Sequence, residues 1–257
     1  MKNRIKIFML IIFVVPITAL ISLSFFTGGS LANQFKAELH VGYGEYLLKY
    51  GQITNAIAQY TIAIKLDPKL STAYGARATL YGETQQFDLA IQDCTTILSY
   101  SPVDPSAFAL RAYDYLMQKQ YDAALRDSSA AISLAPAMSL PNYVRGLVYF
   151  TENDFAQAIP DESRAIILDP RISAAYFIRG RCYESQNLYD NAVADLTKAI
   201  DINTNYNEAY YYRGVAYKAL SLKSKAVADF QKFISLSQDQ GLMQSAKDYI
   251  NELSTQY

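Results

Sequence analysis

YYYRGVAY, residues 210–217, places an Arg-Gly pair among tyrosines, and related words recur along the chain at a fixed step of 34 residues. The earlier copies are YFIRGRCY at 176–183, NYVRGLVY at 142–149, FALRAYDY at 108–115 and YGARATLY at 74–81. Five related words at one spacing indicate an internal repeat, and a period of roughly 20–50 residues is typical of solenoids and other repeat arrays. The repeat therefore decides the fold class.

Each repeat contains two apolar stripes with helical spacing. The first stripe centres on a small residue with a large residue four positions before it and another three positions after it in most copies, and these spacings share one helix face. The small column is Gly44, Ala78, Ala112, Gly146, Gly180 and Gly214. The second stripe starts at an alanine column: Ala56, Ala90, Ala124, Ala158, Ala192 and Ala226. Proline follows the second stripe in four copies and ends it, because proline cannot continue a helix.

These columns resemble the tetratricopeptide repeat, a pair of helices with a small residue flanked by large ones, an alanine in the second helix and a closing proline. The resemblance implies an all-α, right-handed superhelical solenoid, because no single unit can bury its apolar face alone. The six predicted repeats within 37–240 are 37–70, 71–104, 105–138, 139–172, 173–206 and 207–240. Residues 241–257 are predicted to form a C-terminal capping helix. Pro160 is expected to kink the second helix of the fourth repeat.

An arginine directly precedes the small residue in five of the six copies, where the repeat family more often has leucine. An aspartate follows sixteen residues later in the same five copies. A buried arginine without a partner costs several kcal/mol, so we interpret the two columns as structural ion pairs. An arginine ladder that binds an anionic ligand is the alternative. The predicted pairs are Arg77–Asp93, Arg111–Asp127, Arg145–Asp161, Arg179–Asp195 and Arg213–Asp229.

Residues 1–32 are predicted to be a membrane anchor or a signal peptide. Lys2, Arg4 and Lys6 precede an apolar run over 7–26, and such basic residues hold the N-terminus in the cytoplasm. A run of about twenty residues can span a bilayer, whereas signal peptides usually have a shorter apolar region, which favours the anchor. Cleavage after Ala32 is the alternative. Both readings place the rest of the chain outside the cytoplasm, in the periplasm or cell envelope of a bacterium.

The sequence contains no motif of a known catalytic, metal or cofactor site. It lacks HExxH, GxSxG, P-loop and dinucleotide-binding patterns. The only histidine, His40, falls in a packing column, and the spacing of Cys94 and Cys182 matches neither a zinc site nor a redox motif. A formal net charge of −1 does not indicate the excess of basic residues that is typical of nucleic-acid-binding proteins. We therefore predict no enzymatic activity, no cofactor and no nucleic-acid partner.

In the family that the chain resembles, the first helices line a concave groove that binds extended peptides or helices. The resemblance therefore implies a scaffold or adaptor for a protein or peptide partner, and exposed apolar stripes usually mark such sites. The alternative is that neighbouring helices bury these side chains. A self-assembling structural component, or an enzyme that uses the groove for its substrate, are further alternatives. The predicted partner-binding residues are Tyr113, Leu116, Met117, Tyr143, Leu147, Phe150, Phe177, Arg181, Tyr211 and Val215.

Overall fold

The computed structural model describes residues 30–255, which form thirteen α-helices and contain no β-strand. The helices are α1 (Ser30–Leu48), α2 (Ile53–Leu66), α3 (Ser71–Glu83), α4 (Phe87–Tyr100), α5 (Pro105–Met117), α6 (Tyr121–Leu134), α7 (Ser139–Thr151), α8 (Phe155–Leu168), α9 (Ser173–Ser185), α10 (Tyr189–Ile202), α11 (Asn207–Ala219), α12 (Lys223–Leu236) and α13 (Gln240–Thr255). The predicted all-α repeat fold of helix pairs is therefore confirmed.

The chain divides into two compact units, one ending at Asp114 and the other beginning at Tyr115. Within the first unit, α1 packs on α2, α2 on α3, and α3 on α4. Within the second unit, each helix from α6 to α12 packs on the next one. The predicted capping helix, α13, buries Ala246 and Leu253 against Phe230 and Phe233 of α12.

The small column receives a side chain from the second helix of the same repeat. Sixteen residues after Gly180 and Gly214 come Leu196 and Phe230, both fully buried. A Cβ atom added to Gly214 would lie 2.9 Å from the Phe230 ring, and one added to Gly180 would lie 3.0 Å from Leu196 Cγ. Glycine is therefore required where the opposing side chain is large, since a Cβ would overlap it.

A residue with left-handed backbone geometry separates the two helices of every repeat. In all six repeats the next N–H then donates to the carbonyl five residues back, as Leu188 does to Tyr183 and Leu222 to Tyr217, both at 2.8 Å. This hydrogen bond closes the C-terminus of the first helix. The φ angle is 70° at the first of these residues and 60° at the others, which are Gly51, Gln85, Lys119, Asn153, Asn187 and Ser221.

Two sequence expectations concern the continuity and the beginning of helices. Helix α8 runs without interruption through Pro160, which occupies its sixth position.

Residues 1–29 lie outside the described residues, so most of the predicted anchor does too. Ser30 to Ala32, the alternative cleavage site, form the first turn of α1. Among residues 30–255, no helix combines the length and apolarity needed to cross a bilayer.

Candidate partner-binding face

Four of the predicted arginine–aspartate pairs join the first and second helices of a repeat. Arg179 Nε donates to Asp195 Oδ2 at 2.7 Å, and Arg179 Nη2 donates to Asp195 Oδ1 at 2.8 Å. This two-bond geometry is the strongest form of an arginine–carboxylate contact. The same geometry occurs in Arg77–Asp93, Arg145–Asp161 and Arg213–Asp229.

The remaining nitrogen of each arginine contacts the preceding repeat. Arg179 Nη1 donates to Ser163 Oγ of α8 at 2.9 Å, and Arg213 Nη1 donates to Thr197 Oγ1 of α10 at 3.1 Å. Arg77, Arg111 and Arg145 make the equivalent bond to Thr61, Thr95 and Ser129. This column of hydroxyl residues is not among the predicted sites, although it lies sixteen residues before the arginines and has the same 34-residue period.

Tyrosines before and after the arginine flank its guanidinium group. The Arg213 guanidinium carbon lies 5.6 Å from the centre of the Tyr210 ring and 5.7 Å from that of Tyr217. Arg179 lies similarly between Tyr176 and Tyr183. Because the nitrogens that would bind an anion are already used within the fold, these arginines are better suited to holding helices together than to binding an external anion.

Two of the predicted partner-binding residues lie in the core. Leu116 is only 5% exposed and Tyr211 only 7% exposed. The Tyr211 ring packs against Phe230, Phe233 and Tyr249, with ring centres 5.1–6.4 Å apart. Burial also raises the pKa of Tyr211 to about 12. The expectation that Tyr211 is a groove anchor is wrong, because α12 and α13 cover its ring.

The other predicted residues keep part of their surface accessible. Met117 is exposed, and the half-buried residues are Tyr113, Tyr143, Leu147, Phe150, Phe177, Arg181 and Val215. Tyr143 packs on a core cluster formed by α8 and α9, and Phe177 packs on two clusters of the second unit. These side chains combine a packed edge with an accessible one, which is the usual state of a preformed binding surface.

Arg181 lies between two aromatic rings and joins the first helices of the last three repeats. The Arg181 guanidinium carbon lies 3.3 Å from the centre of the Tyr212 ring and 5.7 Å from that of Phe150. Its Nε donates to Glu184 Oε2 at 3.2 Å. Such stacking fixes the orientation of a flat guanidinium group. Arg181 therefore links α7, α9 and α11 at their partly accessible side chains.

Phe177 extends this cluster toward the start of α11. Its ring centre lies 4.8 Å from that of Tyr206 and 5.9 Å from that of Tyr212. We call Phe150, Phe177, Arg181, Tyr206 and Tyr212 the α7–α9–α11 face. The sequence pattern predicts Phe150, Phe177 and Arg181 but not the two tyrosines, which lie outside the columns that orient the helices.

The described residues offer no obvious metal centre, and a shallow cleft lies away from the α7–α9–α11 face. No group of three histidine, cysteine, aspartate or glutamate side chains between residues 30 and 255 could hold a metal ion. The cleft has a volume of about 450 Å³ and is lined mainly by residues 119–126 together with Glu152. It carries Lys119 and Arg126 as well as Asp122 and Glu152, so its charges balance.

Family models of the tetratricopeptide repeat match residues 143–207 and 208–257. Residues 143–257 belong to the tetratricopeptide repeat family. The columns of small residues, alanines and large residues described above are the features by which the sequence resembles this family. No curated protein matches the chain.

Several solved structures have a fold similar to this one, and YrrB among them is described as a tetratricopeptide repeat protein. The Cut9–Hcn1 hetero-tetramer of the APC/C matches with a TM-score of 0.75 and 17% identity over 93% of this chain, which spans 45% of that chain. PilF of Pseudomonas aeruginosa matches with a TM-score of 0.75 and 16% identity, covering 84% of this chain and 98% of its own. YrrB, described as having an unusual peptide-binding site, matches with a TM-score of 0.58 and 21% identity, covering 74% and 97%. At these identities the likeness establishes the fold.

Proposed function

We propose that this tetratricopeptide repeat protein is a non-enzymatic scaffold that binds a peptide or helix of a partner protein along the α7–α9–α11 face. The observation that carries the proposal is the cluster of half-buried aromatic rings around Arg181. Its rings pack against one another, so little side-chain entropy remains to be lost when a partner binds.

The chemistry of this face favours an apolar or aromatic segment of the partner. Phe177 and Tyr212 offer ring surface, and Arg181 stacks on Tyr212 while Glu184 balances its charge. A binding site with balanced charge and accessible aromatic rings gains most from burying apolar area. YrrB, a similar fold with a described peptide-binding site, supports the general mode of binding.

The test compares one double variant on the α7–α9–α11 face with a second double variant outside it. Phe177→Ser with Tyr212→Ser removes two rings of the α7–α9–α11 face, and Leu134→Ser with Ile167→Ser removes exposed side chains from the second helices α6 and α8. A partner would first be captured by cross-linking from an envelope extract and identified by mass spectrometry. Its affinity for each purified variant would then be measured by isothermal titration calorimetry.

We expect the first double variant to weaken binding about tenfold or more, since buried aromatic anchors dominate such interfaces. The second double variant is expected to bind like the native protein. Circular dichroism spectra that match the native protein would show that both variants remain folded. Equal affinity of all three proteins would contradict the proposal, and capture of a second copy of the chain alone would favour the self-assembly alternative.

We further propose that the scaffold works on the outer side of a membrane. This proposal rests on the basic residues and apolar run within 1–32. Protease accessibility of the full chain in sealed cells would test its side of the membrane, and N-terminal sequencing would separate the anchor from a leader cut after Ala32. Complete protection from protease until the membrane is lysed by detergent would place the repeats on the cytoplasmic side and contradict the proposal.

A further inference from the structure

Glu162 occupies a position in α8 that is uncharged in every other repeat. The equivalent residues at the 34-residue step are Tyr60, Cys94, Ser128, Leu196 and Phe230. Glu162 is fully buried, as are Leu196 and Phe230 at the same position in the next two repeats. A carboxylic acid therefore stands where the fold otherwise places a side chain for packing.

The Glu162 carboxyl group fills the space that Gly146 leaves open on α7. A Cβ atom added to Gly146 would lie 2.6 Å from Glu162 Oε1 and 3.0 Å from Cδ. Both carboxyl oxygens are buried without a hydrogen-bond partner among the described residues. An ionised carboxylate without donors is costly in such a site, whereas the protonated acid is tolerated at a smaller cost.

Among residues 30–255, the charged groups around Glu162 do not supply a free counter-ion. From α7, Arg145 binds Asp161 through two hydrogen bonds. From α9, Arg179 uses Nε and Nη2 on Asp195 and Nη1 on Ser163. Both nearby arginines are therefore already paired within the fold.

The remaining titratable neighbours of Glu162 are Asp161 on α8, Cys182 on α9 and Tyr206 before α11. Burial and the charge of Asp161 raise the pKa of Glu162 well above its ordinary value, and Arg179 offsets only part of this effect. Burial is the main cause that raises the pKa of Cys182 to about 12.

We propose that Glu162 makes the packing of α8 against α7 and α9 sensitive to pH, with the protonated acid belonging to the closed state and the carboxylate favouring an opened one. The pKa of Glu162 is raised in the folded state, so the folded chain holds a proton that the opened chain releases. The stabilisation is complete below the unfolded pKa and is lost as pH rises through the folded pKa. Alkaline conditions therefore open this part of the second unit.

Cys182 provides a direct readout of this opening because its thiol is fully buried in α9. The experiment measures the rate at which a thiol reagent labels Cys182 in a Cys94→Ser background, at pH 6 and at pH 8. Serine is chosen because Ser128 occupies the position equivalent to Cys94 in the third repeat. The native Glu162 chain is compared with Glu162→Gln at each pH, so that the pH dependence of the thiol chemistry cancels in the ratio.

We expect the ratio of labelling rates, native over Glu162→Gln, to rise at least about tenfold from pH 6 to pH 8. One proton limits the rise to about tenfold for each pH unit. Glu162→Leu, which carries the residue of the next repeat, serves as a second neutral reference if the glutamine variant is poorly folded. A ratio to the folded neutral variant that stays constant between the two pH values would overturn the proposal.

The labelling of Cys94 in a Cys182→Ala background supplies the local control. Cys94 is buried in the first unit, and Glu162 belongs to the second. The native and Glu162→Gln chains are expected to label Cys94 at equal rates at both pH values. A pH-dependent ratio at Cys94 equal to that at Cys182 would indicate global unfolding rather than opening around Glu162 and would also overturn the proposal.

Discussion

The Arg179–Asp195 pair allows a quantitative test of how the helices are held together. The two side chains are only 19% and 9% exposed, and two short hydrogen bonds join them. Asp195→Asn leaves a largely buried guanidinium group without its counter-ion, which costs about 3 kcal/mol. Replacing both residues, by Arg179→Met and Asp195→Asn, removes the unpaired charge and is expected to cost only about 1–2 kcal/mol from lost hydrogen bonds and ring contacts.

The assay is urea unfolding followed by far-UV circular dichroism for the native chain, both single variants and the double variant. Together they give the coupling energy of the pair, provided that the denaturant dependence stays constant. Lys198 and Asp201 provide an exposed control pair, since their side chains are 64% and 58% exposed and lie 3.8 Å apart. Asp201→Asn is expected to change the free energy of unfolding by less than about 0.5 kcal/mol. Equal stability of Asp195→Asn and the double variant would refute the pairing argument.

Three further predictions concern glycine, turn and acidic positions, each measured by urea unfolding. Gly75→Ala is expected to stabilise the protein by about 0.5–1 kcal/mol because nothing lies within 4 Å of the added Cβ, whereas Gly180→Ala is expected to destabilise it by about 1–3 kcal/mol through overlap with the second helix. Similar effects of the two changes would contradict the packing argument. Ser221→Gly is expected to stabilise the protein by about 1 kcal/mol because Ser221 has a φ of 60°. Asn187→Gly is expected to stabilise it less, because asparagine tolerates that backbone geometry. A loss of stability in Ser221→Gly would contradict this prediction. Burial raises the pKa of Asp114 to about 7. The fold therefore favours the protonated carboxyl group, and the stability that this preference contributes is lost as pH rises toward and through 7. Asp114→Asn is expected to reduce the fall in stability between pH 5 and pH 8, and an unchanged fall would count against a raised pKa.

The sequence predicts the helices well because their periodicity repeats six times. A small residue, an alanine and an arginine–aspartate pair at one fixed spacing leave few alternatives to a helix hairpin. The Arg179–Asp195 contact could be predicted because both members are absent together from the first repeat, where Tyr43 and Gln59 stand instead. Contacts that recur from repeat to repeat can therefore be predicted from a single sequence.

The turn geometry and the accessible surface could not be read in the same way. The left-handed turn position holds glutamine, lysine and serine in three repeats, so residue type does not mark it. Tyr211 and Phe177 occupy equivalent positions 34 residues apart, yet α12 and α13 cover only Tyr211. Burial depends on the neighbour that each repeat meets, and a periodic pattern does not encode that neighbour.

The arginines act between repeats as well as within them. Arg77, Arg145, Arg179 and Arg213 each bind an aspartate of their own repeat, and the Nη1 atom of each donates to a hydroxyl group of the preceding repeat. No helix pair precedes the first repeat within residues 30–255. In this repeat the fully buried Tyr60 ring packs against Gly44. His40 Nδ1 lies 2.7 Å from Gln59 Oε1. A hairpin can therefore close without the ion pair. The arginine is needed where one repeat must be held in register with another, since its planar group fixes both partners at once.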